Sequence, residues 1–201
     1  MFDYSQDKAK MVATRYRKEQ NETRLAGIEA CKDKNLVVEC YAGGGGLTEV
    51  YKQYFQEIVN NDINPQSPAQ HHMKAMDFIQ EVVHDLEQKI SMVDLDCYGS
   101  PAFEIQEFFK CARYHAPFVL TLSDGFGVWL KRSKKEKPIR SRYLIDGTID
   151  YHRIWERHID LVDNLIKVLC EDARLSWERI AYVQTKSKNY VLATYTINHI
   201  T

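Results

Sequence analysis

The chain has 201 residues, of which 44% are hydrophobic and 27% charged, a composition that suits one globular domain with a sizeable core. Its 27 basic and 28 acidic side chains nearly cancel, which excludes a basic nucleic-acid tail or an acidic solvating segment, so any phosphate binding must come from a local patch. No apolar stretch approaches the roughly 18 residues of a membrane span. Residues 1–10 hold no apolar signal core, so we expect a cytoplasmic protein without a membrane partner.

Cysteine usage agrees with a reducing compartment. The five cysteines form no C-x-x-C pair, and no histidine stands near them at zinc-ligand spacing. We therefore expect reduced, mostly buried thiols rather than a catalytic thiol, and no metal. The cysteines are Cys31, Cys40, Cys97, Cys111 and Cys170.

Strand and helix patterns alternate along most of the chain. Residues 6–34 are polar and favour a helix, and the β-branched run 36–41 predicts a buried strand before four glycines. Further strands are expected at residues 57–61, 73–76, 91–95 and 118–122. Apolar residues at helical spacing predict helices between them, with Ser100 as a cap and Pro101 at the first position of one of these helices. Such alternation indicates βαβ units and a mostly parallel sheet.

The end of the chain has a different pattern. A long helix is expected over residues 150–171, followed by strands at 179–185 and 190–197 with no helix between them. The short polar link 186–189 predicts that these two strands pair as an antiparallel hairpin. The sequence therefore predicts an α/β fold with five βα units, helices on both faces of the sheet and an antiparallel C-terminal hairpin.

The glycine turn after the first predicted strand is the most informative stretch. Residues 43–46 are all glycine, which allows a ligand to approach the backbone closely at the carboxyl end of a strand. No frame of the dinucleotide pattern G-x-G-x-x-G fits, because Thr48 or Glu49 falls where the third glycine is required. Glu39 precedes the glycines by four residues, and a negative charge there suits a cationic ligand.

These residues resemble the first motif of the class I S-adenosylmethionine-dependent methyltransferases, in which an acidic residue precedes G-x-G. The resemblance covers residues 36–200 and implies the Rossmann-like class I methyltransferase fold, with S-adenosyl-L-methionine as cofactor. It implies a domain over residues 36–201, preceded by a helical extension over residues 1–35. It also assigns Asp62 to the ribose hydroxyls and Asp77 to the adenine, although each acid alone suits a solvated strand end. The implied cofactor site comprises Glu39, Tyr41, Gly43, Gly45, Asp62, Ile63, Asp77 and Phe78.

The octet from Asp94 to Pro101 follows the fourth predicted strand and is similar to D-x-D-P-F-G-S-P of the tRNA guanine-N2 dimethyltransferases. Cys97 stands where that family has proline. Methylation of an exocyclic amine needs an acceptor for the amine hydrogens and an aromatic face for the base, outside its stack. The resemblance assigns these roles to Asp96 and Tyr98, with Asp94 beside them. The alternative is that the two aspartates cap a helix and that Tyr98 is a packing residue.

Two further features indicate the substrate. Thr121 to Gly125 resembles the T-x-T-D stretch of the same enzymes, so Asp124 is a candidate substrate ligand. The irregular segment 126–149 is basic between residues 131 and 142, which favours either a phosphate-tracking loop or a solvated one. Its candidate substrate-binding lysines are Lys131, Lys134, Lys135 and Lys137. We therefore expect a methyltransferase acting on an amine of a nucleic-acid base, RNA ahead of DNA; the alternatives are a small-molecule or protein methyltransferase and a catalytically silent member.

Overall fold

The computed structural model describes residues 18–97, 99–125, 136–146, 154–185 and 190–200. A six-stranded sheet runs through it in the order β2-β1-β3-β4-β6-β5. The strands are β1 (Leu36–Glu39), β2 (Glu57–Asn60), β3 (Met92–Asp96), β4 (Phe118–Asp124), β5 (Leu175–Gln184) and β6 (Val191–His199).

Helices join and cover these strands. Those of the described residues are α1 (residues 18–30), α2 (Gly46–Tyr51), α3 (Ala75–Phe78), α4 (Ala102–His115), α5 (Glu136–Tyr143) and α6 (His158–Ala173). A π-helical turn, Ile79–Val83, extends α3, and a 3-10 turn, Ile154–Arg157, leads into α6. None of the helices in the described ranges is long and apolar enough to cross a bilayer.

The pairing of the strands confirms the predicted sheet. β1, β2, β3 and β4 are parallel, whereas β6 pairs antiparallel with both β4 and β5. The chain leaves β1 toward β2 on one side and returns to β3 on the other, so the strand order reverses between β1 and β3. In open α/β sheets, ligands bind in the crevice at the carboxyl ends of the strands at such a switch point.

Helices lie on both faces of the sheet, as predicted. One face carries Val37, Met92 and Val119, which pack with Ile28 of α1 and Tyr51 of α2. The opposite face belongs to the larger core, which it shares with α3, α4, α5 and α6. Every residue of β1 is buried, as expected for a strand that is covered on both sides.

α1 lies unusually close to β4 and β6 because one of its residues has no side chain. A Cβ atom on Gly27 would be 2.9 Å from Thr194 Cγ2 and 3.1 Å from Thr121 Oγ1. The two threonine hydroxyls are 3.0 Å apart, and Thr194 Oγ1 donates to the carbonyl oxygen of Thr23 at 3.2 Å. The helix that precedes β1 in the chain is therefore packed directly against the sheet.

Two predicted details are wrong. Residues 73–76 form no strand; Ala75, Phe78 and Ile79 are buried at the i, i+3 and i+4 spacing of a helix, so the apolar run belongs to α3. Just before this segment, His71 forms an isolated parallel bridge with Asn61, which follows β2. Ser100 does not cap α4 either, because no side chain caps that helix.

The boundaries of other elements also differ from the predictions. Within the segment predicted to be irregular, residues 136–143 form α5, which is anchored by the buried side chains of Ile139 and Tyr143. The long helix near the C-terminus is confirmed from residue 158 to residue 173, with 3-10 rather than α-helical backbone over residues 154–157. The predicted hairpin link, residues 186–189, lies outside the described residues.

Candidate functional site

Three carboxylates meet at the switch point. Glu39 ends β1 and is in register with Asp94 of β3, and Asp96 follows on the same face at the end of β3. Glu39 and Asp94 are 1% and 0% exposed, whereas the Asp96 side chain is 27% exposed. The arrangement concentrates negative charge beneath the crevice and leaves Asp96 as its accessible member.

One oxygen of Glu39 is bound and the other is not. Thr48 Oγ1 of α2 donates to Glu39 Oε2 at 2.6 Å and accepts a hydrogen bond from Asn60 Nδ2 at 3.2 Å. Glu39 Oε1 is buried without a hydrogen-bond partner among the described residues. Burial raises the pKa of Glu39 to about 7, although the hydrogen bond from Thr48 opposes the shift. Glu39 Oε1 can therefore accept a hydrogen bond from a ligand at the carboxyl end of β1.

The glycine turn is held by the loop that follows β2. Asp62 Oδ2 accepts a hydrogen bond from the Gly43 amide at 2.7 Å, and Ser67 Oγ donates to the Gly43 carbonyl oxygen at 2.5 Å. Gly43 and Gly45 have φ angles of 53° and 80°, and a Cβ atom on Gly45 would lie 2.8 Å from Pro68 Cγ. The positive φ angles favour glycine at both positions, and the contact with Pro68 leaves no room for a Cβ atom at Gly45. The hydrogen bonds fix the turn next to Asp62.

The other predicted cofactor residues differ in their exposure. Ile63 is 67% exposed beside Asp62, and Asp77 is half-buried in the first turn of α3. Tyr41 is half-buried and packs against the core. Phe78, in contrast, is fully buried and lies against the ring of His71. Ile63, Asp77 and Tyr41 thus keep part of their surface accessible, whereas Phe78 is a core residue in the structure.

Asp96 is held from two sides. Its Oδ2 forms an ion pair with Nη2 of Arg24 in α1, and its Oδ1 accepts a hydrogen bond from Tyr190 Oη at 2.9 Å. Arg24 Nε also lies 3.8 Å from Asp94 Oδ2, the oxygen to which the Tyr51 hydroxyl donates. Burial raises the pKa of Asp94 to about 6, and the positive charge of Arg24 opposes that shift. The two aspartates therefore bind side chains of other elements, and α4, the next helix, has no side-chain cap.

Asp124 lies in a buried polar cluster at the end of β4. Its Oδ2 accepts hydrogen bonds from Ser100 Oγ and Tyr143 Oη, both at 3.0 Å, and its Oδ1 is 3.2 Å from His158 Nε2. Asp124 is 2% exposed and His158 is fully buried. The carboxylate therefore joins the segment after β3 to α5 and α6, and it faces inward rather than into the crevice.

Other predicted residues fall outside the described set. Tyr98, Lys131, Lys134 and Lys135 lie outside the described ranges, as does the side chain of Lys137 in α5. Their described neighbour Arg142 donates from Nη1 to the Ser100 carbonyl oxygen at 3.5 Å and stacks at 4.7 Å over the Phe103 ring. The C-terminal end of the basic segment is therefore fixed beside the residues that follow Asp96.

Sequence reasoning missed four residues that complete this site: Arg24, Thr48, Asn60 and Tyr190. None of them belongs to a motif, and each comes from a different element or its flank. No local pattern marks them in the sequence. In the structure, Arg24 belongs to a buried stripe along α1 and its C-terminal flank, which also holds Thr23, Gly27, Ile28 and Cys31. Among the described residues, no group of three His, Cys, Asp or Glu side chains is arranged to hold a metal ion.

Comparison with known proteins finds similar structures but no similar sequences. No protein-family model matches the chain. No curated protein matches it significantly. Trm1 from Pyrococcus horikoshii, solved with S-adenosyl-L-methionine, superimposes with a TM-score of 0.63 at 15% identity over 91% of this chain. This chain spans 55% of the length of that protein.

Two other solved structures match over almost their whole length. The N-methyltransferase NodS from Bradyrhizobium japonicum has a TM-score of 0.52 at 12% identity and covers 92% of this chain and 97% of its own. A candidate rRNA methylase from Clostridium thermocellum has a TM-score of 0.55 at 9% identity, with coverage of 91% and 97%. Together with the strand order, the switch point and the C-terminal hairpin, these similarities show that the chain has the Rossmann-like class I methyltransferase fold.

Proposed function

We propose that this protein is an S-adenosyl-L-methionine-dependent methyltransferase that acts on an exocyclic amine of a nucleic-acid base, with RNA as the favoured substrate. The observation that carries the proposal is the meeting of Glu39 and Asp96 at the switch point of this fold. Glu39 offers a buried oxygen, Oε1, that has no hydrogen-bond partner in the described part of the chain, and Asp96 offers an accessible carboxylate at the end of the neighbouring strand.

The cofactor is assigned to the carboxyl end of β1 by the chemistry of the residues there. Glu39 Oε1 needs a hydrogen-bond donor, because an unsatisfied buried carboxylate oxygen is costly. Asp62 is half-buried, and each of its oxygens keeps a lone pair beyond its bond to Gly43 or Asn64, which suits vicinal hydroxyls. Exposed Ile63 provides an apolar surface next to it. A nucleoside bearing a cationic group satisfies all three positions.

The amine is assigned to Asp96. When bound, S-adenosyl-L-methionine supplies an electrophilic methyl group. Asp96 would accept a hydrogen bond from the amine, which directs the nitrogen lone pair away from the carboxylate, and would then receive the proton that the methylated nitrogen releases. Tyr98 would provide the aromatic face for the base.

The nucleic-acid substrate is supported by the basic segment and the motif. Arg142 ties the end of that segment to Ser100, so its lysines lie in sequence between Asp124 and a residue fixed beside the crevice. The candidate rRNA methylase shares the fold, and the octet containing Asp96 resembles that of the tRNA guanine-N2 dimethyltransferases. Small molecules and proteins are the competing substrates.

The test separates cofactor binding from transfer. The full chain is incubated with radiolabelled S-adenosyl-L-methionine and, separately, total tRNA, rRNA, genomic DNA and protein, and S-adenosylhomocysteine binding is measured by calorimetry. We expect transfer to RNA, and we expect Asp96→Asn to lower kcat by about 100-fold or more while the affinity for S-adenosylhomocysteine stays within about threefold.

The matched control is Asp163→Asn. Like Asp96, Asp163 forms an ion pair with an arginine and accepts a hydrogen bond from a tyrosine, but it lies on α6, away from the crevice. It should leave kcat unchanged. Label in protein alone would favour the protein alternative, and binding without transfer would favour the silent one. Full activity of Asp96→Asn would rule out the amine mechanism.

A further inference from the structure

Asp96 is held by two residues that the proposed mechanism does not use. What these residues do is inferred here on the basis of that mechanism. A carboxylate that accepts a hydrogen bond from an amine must be fixed in orientation, because the nitrogen lone pair points correctly only if the acceptor does. Asp96 is the last residue of β3 and its side chain is 27% exposed, so the packing of the strand alone does not fix its side chain. Its orientation depends on the residues that bind its two oxygens.

Those residues come from opposite ends of the chain. Arg24 of α1 pairs with Oδ2, and Tyr190, immediately before β6, donates to Oδ1. Two contacts on two oxygens define the plane of the carboxylate, and each oxygen retains a second lone pair for a substrate donor. Arg24 is 6% exposed, so its guanidinium is itself held within the protein.

Arg24 also offsets the charge of the cluster. Glu39, Asp94 and Asp96 lie on one face at two adjacent strand ends, where like charges repel. The guanidinium approaches Asp94 and Asp96 together, with Nε 3.8 Å from Asp94 Oδ2 and Nη2 paired with Asp96. Without this cation the two aspartates would move apart or bind protons, and Asp96 would lose its position.

The position of Arg24 is determined by the close packing of α1. Gly27, one turn further along the helix, approaches Thr194 and Thr121, and the Thr23 carbonyl oxygen accepts a hydrogen bond from Thr194. The helix that bears the guanidinium is therefore held against β4 and β6, and this fixes the position of the Arg24 side chain relative to Asp96.

We propose that Arg24 is a positioning residue of the methyl-transfer site, delivered by α1 from outside the βα core, which together with Tyr190 fixes the Asp96 carboxylate for recognition of the amine. Neither residue touches the reacting atoms. Their effect is on the geometry of Asp96, so it is felt in turnover more than in the affinity for cofactor or RNA.

The test compares Arg24→Met, Arg24→Lys and Tyr190→Phe in the full chain, with unfractionated tRNA and rRNA as methyl acceptors. Arg24→Met should lower kcat by about 30-fold or more, while KM for RNA and the affinity for S-adenosylhomocysteine change by less than about threefold. Arg24→Lys should recover at least part of kcat, because it restores the charge without the planar fork. Tyr190→Phe should lower kcat by about tenfold, because the variant loses one of the two contacts that orient the carboxylate, a hydrogen bond from an uncharged hydroxyl.

Arg179→Met is the matched control, because it removes an arginine that pairs with Asp163 between β5 and α6, outside the crevice. It should leave kcat unchanged. If Arg24→Met fails to fold, the double variant Arg24→Met/Asp94→Asn removes the buried cation together with a buried anion and keeps Asp96. The double variant should have a kcat well below that of Asp94→Asn alone, and equal kcat values for the two would overturn the positioning role.

The outcomes distinguish this inference from the proposed function. Wild-type kcat in either folded Arg24→Met protein overturns the positioning role and leaves the proposed function intact. An equal rise in KM and loss of cofactor affinity would show a merely structural role and would also overturn it. A wild-type protein that transfers no methyl group to any polymer overturns the proposed reaction, and the positioning role with it.

Discussion

Glu39 combines two properties that a purely structural carboxylate seldom has. It is 1% exposed, and one of its oxygens lacks a partner among the described residues. Burial raises its pKa from 4.5 to about 7, which means that the native state prefers the protonated form. A raised carboxyl pKa contributes stability that is fully present below the unfolded pKa and is lost as the pH rises through the folded pKa. Glu39 therefore opposes folding most strongly when it is ionised, and a bound donor ligand would relieve that cost.

Glu39→Gln tests this linkage. The wild-type protein should lose about 3 kcal/mol of unfolding free energy relative to the variant between pH 4 and pH 8, since the shift from 4.5 to about 7 costs about 1.4 kcal/mol per pKa unit. The variant should also bind S-adenosylhomocysteine about 10-fold or more weakly at pH 8, because a charge-assisted hydrogen bond is removed. Urea unfolding at both pH values and calorimetry measure the two effects.

The control for Glu39→Gln is Glu49→Gln, which removes an exposed carboxylate from α2. Its unfolding free energy should stay within about 0.5 kcal/mol of the wild-type value at both pH values. A Glu39→Gln protein whose stability tracks the wild type across the pH range would show that the buried carboxylate is not titrating, and unchanged ligand affinity would remove Glu39 from the cofactor site.

At the same scale, the sequence indicated the acids but not their partners. Glu39, Asp94 and Asp96 were predictable because strand ends of a parallel sheet converge and because the residues stand in motifs. Arg24 and Tyr190 were not, because a charged residue in a polar helix and a tyrosine beside a turn are ordinary surface residues by local pattern. Their roles arise from hydrogen bonds that span 72 and 94 residues of sequence, which no local spacing encodes.

Among the elements, α1 departs most from its sequence pattern. Apolar Leu25 is 38% exposed, whereas Thr23, Arg24 and Gly27 face the sheet. The buried stripe was hidden because its members are small or polar, so their burial depends on close backbone approach and hydrogen bonds rather than on hydrophobicity. Strands β1 to β4, in contrast, are apolar runs covered on both sides, and for that reason the sequence predicted them within a few residues.

Gly27→Val tests the close packing of α1. The added side chain would meet Thr194 Cγ2, which cannot yield easily because the hydroxyl of Thr194 bonds both Thr121 and Thr23. We expect a loss of about 1–3 kcal/mol of unfolding free energy, which for a chain of this size lowers Tm by about 2–4 °C per kcal/mol. Thermal unfolding measures the shift, and the transfer rate should fall with it because Arg24 moves.

Gly46→Ala serves as the control, since a Cβ atom on Gly46 meets nothing within 4 Å. It should change the unfolding free energy by less than about 0.5 kcal/mol. Equal Tm values for the Gly27→Val protein and the wild type would mean that α1 is not seated on the sheet as described, which would also weaken the case for Arg24.

For the whole molecule, charge distribution matters more than net charge. The formal charge is −1, and the acids of the crevice make its floor negative. A polyanion can approach such a site only where a separate positive surface holds its phosphates. The sequence concentrates basic residues between positions 131 and 142, and the structure ties the end of that segment to the crevice through Arg142 and Ser100. Under the proposed function, phosphates would bind at the basic segment beside the crevice, and the base would be recognised at Asp96.

Reversal of Lys134, Lys135 and Lys137 to Glu tests that division. The triple variant should bind RNA more weakly, and the slope of log affinity against log salt should fall by about 0.7–0.9 for each phosphate that is no longer neutralised. S-adenosylhomocysteine affinity should change by less than about threefold, because the proposed cofactor residues lie at the ends of β1 and β2. Filter binding across a salt series, together with calorimetry, separates the two effects.

Reversal of Lys32, Lys110 and Lys167, exposed lysines on other surfaces, makes the same change in net charge and should leave the salt slope nearly unchanged. If both triple variants weaken RNA binding equally, the effect is one of net charge and the basic segment is only a solvated loop. If the wild type shows no salt-dependent binding to RNA or to DNA, the nucleic-acid substrate is ruled out, which leaves a small-molecule or protein substrate or a catalytically silent protein.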